Sequence, residues 1–240
     1  MEFLKAGDSA LIIELGNKIS PEINFELKKI TENLDSLEND FIVDLLPTYR
    51  SIIVYYNPLK ISFNELQKII EDNLYIRGLE GEILKKEIVE IPVLYGGEYG
   101  LDIENIAHHN KISVEEVIKI HTSEEYLIYM LGFTPGFPYL GGMSKKIATP
   151  RLETPRIKIP AGSVGIAGEQ TGVYPIESPG GWQLLGRTPL EFFSPLKEKP
   201  FLLKAGDYIK FKAIFQEEYD EIKNQVISGK YVEKRYLKEM

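Results

Sequence analysis

The 240-residue sequence reads as an α+β protein in two parts. Up to about residue 86, strand-length apolar runs alternate with helical patterns that open on capping signals. Beyond it, short strand-like runs lie between frequent glycines and prolines, the pattern of a barrel or compact β domain. Hydrophobic residues make up 43% of the chain, ample for a packed core.

In the first part, Ala10–Leu15 (ALIIEL) is an apolar run of strand length. Ser20-Pro21 starts a helix, a hydroxyl cap followed by proline at the first helical position. That helix is expected to reach about Leu37, with Ile23, Leu27, Ile30 and Leu34 on one face. Phe41–Leu46 and Ser51–Tyr56 read as two strands joined by a turn around Pro47-Thr48-Tyr49. Ser62-Phe63-Asn64-Glu65 is a capping box for a second helix that turns Leu66, Ile69 and Ile70 inward. A polar segment, Gly78–Lys86, precedes a further strand at Ile88–Val93. The order β-α-β-β-α-β is that of a ferredoxin-like unit, although the last strand fits the following domain as well. The expected domains are residues 1–86 and 87–240.

In the second part, Asp102 is placed to cap Ile103–His109, and Ser113-Val114-Glu115-Glu116 is a capping box for a helix ending near His121. Tyr126–Leu131 reads as a strand. Short strand-like runs follow at Arg156–Ile159, Ser163–Ala167, Gly172–Tyr174, Gln183–Thr188, Phe201–Leu203 and Tyr208–Phe211. The charged tail Glu217–Met240 is expected to be helical.

Composition excludes several functions. A formal charge of −8 argues against non-specific binding to nucleic acid or anionic membranes. The absence of cysteine removes disulfides, thiolate catalysis and cysteine-based zinc sites together. No signal-peptide pattern opens the chain, and no stretch approaches the roughly 20 apolar residues of a membrane span. A cytoplasmic location is the expectation.

Motifs narrow it further. The glycines of Gly165–Gly172 (GIAGEQTG) lack the GxGxxG spacing and follow no βαβ pattern, and no P-loop occurs. Ala161-Gly162-Ser163-Val164-Gly165 resembles a serine elbow, but Ala161 stands where the first glycine belongs and no long helix follows. His108 and His109 point roughly 100° apart on a helix and do not chelate one metal well. His121 is read as a cation favouring a helix C-terminus, in preference to a catalytic base.

Residues 131–188 are dense in proline, glycine, aromatic and arginine residues. Gly132-Phe133-Thr134-Pro135-Gly136-Phe137-Pro138-Tyr139-Leu140 is followed by Thr149-Pro150-Arg151, Thr154-Pro155-Arg156 and Pro160–Gly168 (PAGSVGIAG). Gln170–Pro175 (QTGVYP) and Ser178–Thr188 (SPGGWQLLGRT) come next. Gly7-Asp8-Ser9-Ala10 at the front and Gly206-Asp207 with Phe211 near the end complete a pattern running through essentially the whole chain. This pattern resembles the KipI / allophanate hydrolase subunit 1 family, which includes the B subunit of bacterial ATP-dependent 5-oxoprolinase.

The resemblance implies a ferredoxin-like N-terminal domain and a cyclophilin-like β-barrel C-terminal domain. It also implies partners, a homologous C-type subunit and an A-type subunit, with which the B-type chain cleaves 5-oxoproline to L-glutamate driven by ATP hydrolysis. No cofactor is expected on this chain itself, and ATP belongs to the complex. Other family branches inhibit sporulation sensor histidine kinases or form part of a urea-processing carboxyl-transfer module. A peptidyl-prolyl isomerase reading rests on fold analogy alone and ranks last.

A lactam carboxylate wants guanidinium donors, amide donors and an aromatic wall. Arg156, Gln170, Thr171, Tyr174, Trp182 and Arg187 supply these types and are the substrate-binding candidates. Arg187 is suited to a bidentate carboxylate pair, and Gln170 and Tyr174 to an oxyanion. Structural ion pairing competes for both arginines, and interface burial competes for Trp182. Phe133, Phe137 and Tyr139 read as barrel packing. No catalytic residue and no metal ligand is assigned.

Overall fold

A computed structural model describes residues 1–17, 20–76 and 85–239. The expected polar segment Gly78–Lys86 falls outside them up to residue 84. The chain divides into two compact units, Met1–Ile83 and Leu84–Met240.

The first unit contains β1 (Glu2–Lys5), β2 (Ala10–Glu14), α1 (Pro21–Asp35), β3 (Ile42–Pro47), β4 (Ser51–Tyr56) and α2 (Phe63–Ile76). Its sheet is antiparallel, in the order β1-β2-β4-β3. Both helix starts are made as their sequences require. The Ser20 hydroxyl accepts from the Ile23 amide at 3.2 Å, and Glu65 Oε2 accepts from the Ser62 amide and hydroxyl at 3.0 and 2.6 Å. Leu27, Ile30 and Leu34 of α1 meet Leu66 and Ile70 of α2 over Leu11, Ile13, Ile52 and Val54 of the sheet. Each such fully buried side chain contributes about 1.5–3 kcal/mol.

One element here differs from expectation. Glu2–Lys5 is a strand with mixed polarity and too little apolar patterning to announce itself. It takes the sheet edge that Ile88–Val93 would hold in a β-α-β-β-α-β unit. That later strand belongs to the second unit, where Ile88, Val89, Ile91 and Val93 are buried while Glu90 between them is partly exposed.

The second unit begins with β5 (Lys85–Tyr95), then α3 (Ile103–Asn110), α4 (Val114–Ser123), β6 (Tyr126–Leu131), β7 (Pro138–Gly141), β8 (Arg156–Ile159) and β9 (Ser163–Ala167). It continues with β10 (Gln170–Val173), β11 (Ser178–Gly180), β12 (Gln183–Arg187), β13 (Tyr208–Ala213), α5 (Gln216–Ile227) and β14 (Arg235–Glu239). Seven strands follow the order β10-β9-β12-β5-β13-β6-β7, with β14 added on β5. Strands β7 and β10 come together at the ends, so the sheet is nearly closed into a barrel. The β5–β13 pair is parallel, and β8 and β11 form a separate ribbon. The barrel is filled by Val89, Ile91, Val93, Ile128, Val164, Ile166, Leu185 and Phe211, and α3 and α4 cover it with Ile106 and Val117.

Phe201–Leu203 is not a strand; only an isolated bridge joins Phe201 to Phe193. The tail is not helical throughout. Gly229, at φ +68°, lets the chain leave α5, and β14 then pairs with β5 by backbone bonds that its exposed side chains do not signal. Among the described residues, no helix is long and apolar enough to cross a membrane.

Candidate functional site

Asp102 stands at the N-cap position of α3, yet its side chain makes no cap. One oxygen accepts from Arg156 Nη2 at 2.7 Å and the other from the Leu184 amide at 2.7 Å. Its own amide donates to the Leu184 carbonyl at 2.9 Å. Asp102 therefore clamps α3 to β12, and Arg156 is committed to that clamp. Nearby, Asn105 Nδ2 donates to Gln183 Oε1 at 2.8 Å, and Gln183 Nε2 donates to the Pro150 carbonyl at 2.9 Å. The motif residues around Thr149-Pro150 are thus strapped to α3.

Thr171 is buried and belongs to a relay through the barrel. Its hydroxyl donates to the Gly165 carbonyl at 3.1 Å, so it accepts from His121 Nε2 at 2.9 Å. His121 Nδ1 is then the acceptor for the Tyr95 hydroxyl at 2.7 Å. His121 also stacks on Phe211, with ring centroids 4.4 Å apart. Burial pushes its pKa down from 6.5 to about 3 and pushes the Tyr95 phenol well up. The expected cation near a helix end is therefore a neutral core imidazole. His108 and His109 lie exposed in the last turn of α3.

Trp182, Tyr174 and Phe137 form an aromatic cluster. The Trp182 ring meets Phe137 edge-on at 5.7 Å and Tyr174 at 6.2 Å. Two glycines facing each other in the β9–β10 hairpin, Gly165 and Gly172, make its floor. A Cβ at Gly172 would stand 3.1 Å from the indole, and one at Gly165 3.2 Å from the Trp182 Cβ. Gly180 gives similar clearance to the Tyr174 hydroxyl, 2.3 Å from where its Cβ would be. These glycines seat aromatic rings. Burial raises the Tyr174 pKa, offset in part by the Trp182 backbone and the Arg151 and Arg156 cations. Phe137 is buried as barrel packing predicts, but Phe133 is 77% exposed at φ +68° and is not core. Gln170 heads β10, half-buried and opposite Ala167.

Arg187 lies elsewhere. It ends β12, opposite Ser163 of β9, and lines a cleft of about 780 Å³ that none of the other five candidates lines. Its guanidinium lies over the Tyr99 ring at 5.3 Å, and Tyr99 packs on Tyr219 at 4.9 Å. Arg187 Nε is buried and, among the described residues, has no hydrogen-bond partner. The Ser163 hydroxyl is also enclosed, with no partner among the described residues, so it is not presented to a substrate as an elbow serine would be. Five of the six candidates thus separate into a clamp (Arg156), a relay (Thr171), an aromatic cluster (Tyr174 and Trp182) and a cleft (Arg187), and Gln170 stands apart at the head of β10. Sequence reasoning missed Tyr99, Tyr219 and Asp102; only the cap position of Asp102 gave a signal.

The family model described as "Carboxyltransferase domain, subdomain C and D" matches residues 1–203. The chain belongs to this carboxyltransferase C/D family. Among curated relatives, the 5-oxoprolinase B subunit of Bacillus subtilis is 46% identical over 91% of this chain and 95% of its own length. The Escherichia coli O157:H7 protein of that name is 37% identical over 85% and 92%. Among solved structures, the conserved uncharacterized protein PH0987 of Pyrococcus horikoshii is 47% identical, with a TM-score of 0.54 over 91% of this chain and 100% of that one. Urea carboxylase of Kluyveromyces lactis, at 21% identity, shares the fold, with a TM-score of 0.75 over 98% of this chain and 24% of its own. Within the carboxyltransferase C/D family, the Gly-Gly-Trp segment and its facing glycines are the parts of the sequence pattern that this structure explains most directly.

Proposed function

We propose that this chain is the B component of an ATP-dependent 5-oxoprolinase, a complex that opens 5-oxoproline to L-glutamate with ATP hydrolysis. The observation that carries the reading is the 46% identity to a 5-oxoprolinase B subunit across 95% of that protein's length. On this reading the chain works in the cytoplasm with a homologous C-type subunit and an A-type subunit, and is inactive without them. Its first unit is a ferredoxin-like variant with β1 at the closing edge, and its second a cyclophilin-like barrel.

The geometry supports a binding role. His121 is spent on the relay and Ser163 is enclosed, while Arg187 offers a guanidinium to a cleft. ATP is assigned to the complex, in keeping with the lack of a nucleotide motif in this sequence. The test is co-purification: a tagged copy of this chain should retain the C-type protein from a co-expressing cell. Recovery of the tagged chain alone, with soluble C-type protein left unbound, would contradict the assignment.

A further inference from the structure

We propose that the Arg187 cleft binds a compact organic carboxylate, Arg187 pairing with the carboxylate and Lys223 supplying a second positive charge. The inference rests on the proposed function, because 5-oxoproline is a molecule of this class.

The charges in the cleft decide the sign of the ligand. Five charged side chains line it: Glu177, Arg187, Glu191, Lys197 and Lys223. Both acids are already neutralised, Glu177 by Lys158 at 3.0 Å and Glu191 by Lys197 at 3.0 Å. Arg187 and Lys223 have no ion pair among the described residues. Two uncompensated cations therefore share one cleft in a chain of formal charge −8. In a cleft walled by protein, such charges attract an anion more strongly than they would on an open surface.

The setting of Arg187 decides the kind of anion. Its guanidinium is held on Tyr99, which is fixed in turn by Tyr219 and by a 3.2 Å hydrogen bond from Gln216 Nε2 to the Tyr99 hydroxyl. A guanidinium held on a ring keeps its fork of N–H groups for a planar acceptor, and a carboxylate is planar. The remaining walls include Ile176, Leu190 and Val226. Apolar walls around a few polar anchors suit an organic ligand with ring methylenes better than inorganic phosphate. Arg156 differs, because its Nη2 is already ion-paired with Asp102 at 2.7 Å.

Calorimetric titration of the full chain with 5-oxoproline, and separately with inorganic phosphate, tests the assignment. The unaltered chain should bind 5-oxoproline saturably and more tightly than phosphate. Arg187→Ala should weaken binding about tenfold or more, the loss expected for a charged hydrogen-bonded pair, and Lys223→Ala about threefold. Arg151→Ala, beside the aromatic cluster, should leave binding unchanged. No saturable binding, tighter phosphate binding, or an Arg151→Ala loss as large as that of Arg187→Ala would overturn the proposal. If Arg187→Ala fails to fold, unchanged affinity in Lys223→Glu would also overturn it. A complex that turns over normally with Arg187→Ala would remove the cleft and leave the proposed function intact. An inactive complex carrying the unaltered chain would remove that function, while calorimetry would still judge the cleft.

Discussion

His121 donates to the Thr171 hydroxyl across the barrel at 2.9 Å, which ties the last turn of α4 to β10 inside the core. The tie requires a neutral imidazole, because Nδ1 must accept from Tyr95. The folded pKa of about 3 lies below the ordinary 6.5, so the unfolded chain takes up the proton first. Stability from this group is present above pH 6.5 and is lost as pH falls toward 3. Glutamine can replace both hydrogen bonds without titrating. Between pH 6.5 and 5, the unaltered chain should lose up to about 2 kcal/mol more than His121→Gln, the slope approaching about 1.4 kcal/mol per pH unit below pH 6.5. Urea denaturation at the two pH values measures it; equal losses would contradict a neutral buried His121.

Asp102 should matter more to stability than a helix cap does. Asp102→Ala leaves Arg156 and the buried Leu184 amide without their acceptor. The expected cost is about 2–3 kcal/mol, read from the denaturant midpoint. A cost within about 0.5 kcal/mol would mean that the clamp between α3 and β12 contributes little.

Glycine positions with similar sequence surroundings should differ sharply. A Cβ at Gly100 would stand 1.9 Å from the Leu185 carbonyl oxygen, which is backbone and cannot step aside. At Gly132 the nearest atom is the Tyr139 ring edge, at 3.7 Å. Gly100→Ala should destabilise by about 3 kcal/mol or more, and Gly132→Ala by about 1 kcal/mol or less. Thermal melts of the two variants check the ranking.

Phe133 holds a left-handed backbone at φ +68° while remaining 77% exposed. Phe133→Asn should raise stability by about 0.5–1 kcal/mol, because asparagine tolerates that conformation and little packing is lost. A lower melting temperature in Phe133→Asn would show that the contact with Phe137 outweighs the strain.

Strong local signals were legible in the sequence. Ser20-Pro21, the Ser62–Glu65 box and the apolar runs Ser51–Tyr56, Tyr126–Leu131 and Ser163–Ala167 carry their structure in their own residues. Elements made by backbone pairing alone were not. Glu2–Lys5 and Arg235–Glu239 are strands because β2 and β5 offer them an edge, and no periodicity of their own says so. The candidate site was legible by residue type only. Arginines 156 and 187 look alike in sequence, but a carboxylate 54 residues away occupies one, and an aromatic ring holds the other at a cleft. Thr171 has the residue type of a substrate contact, but the histidine that bonds it lies 50 residues earlier.

On the proposed function, this chain binds for a complex and does not catalyse alone. Glutamate released from 5-oxoproline in the presence of ATP tests that most directly, measured for this chain alone and after co-expression with its A-type and C-type partners. The expected result is no release from the chain alone and ATP-dependent release from the three together. Full turnover by the isolated chain, or none by the assembled three, would contradict it.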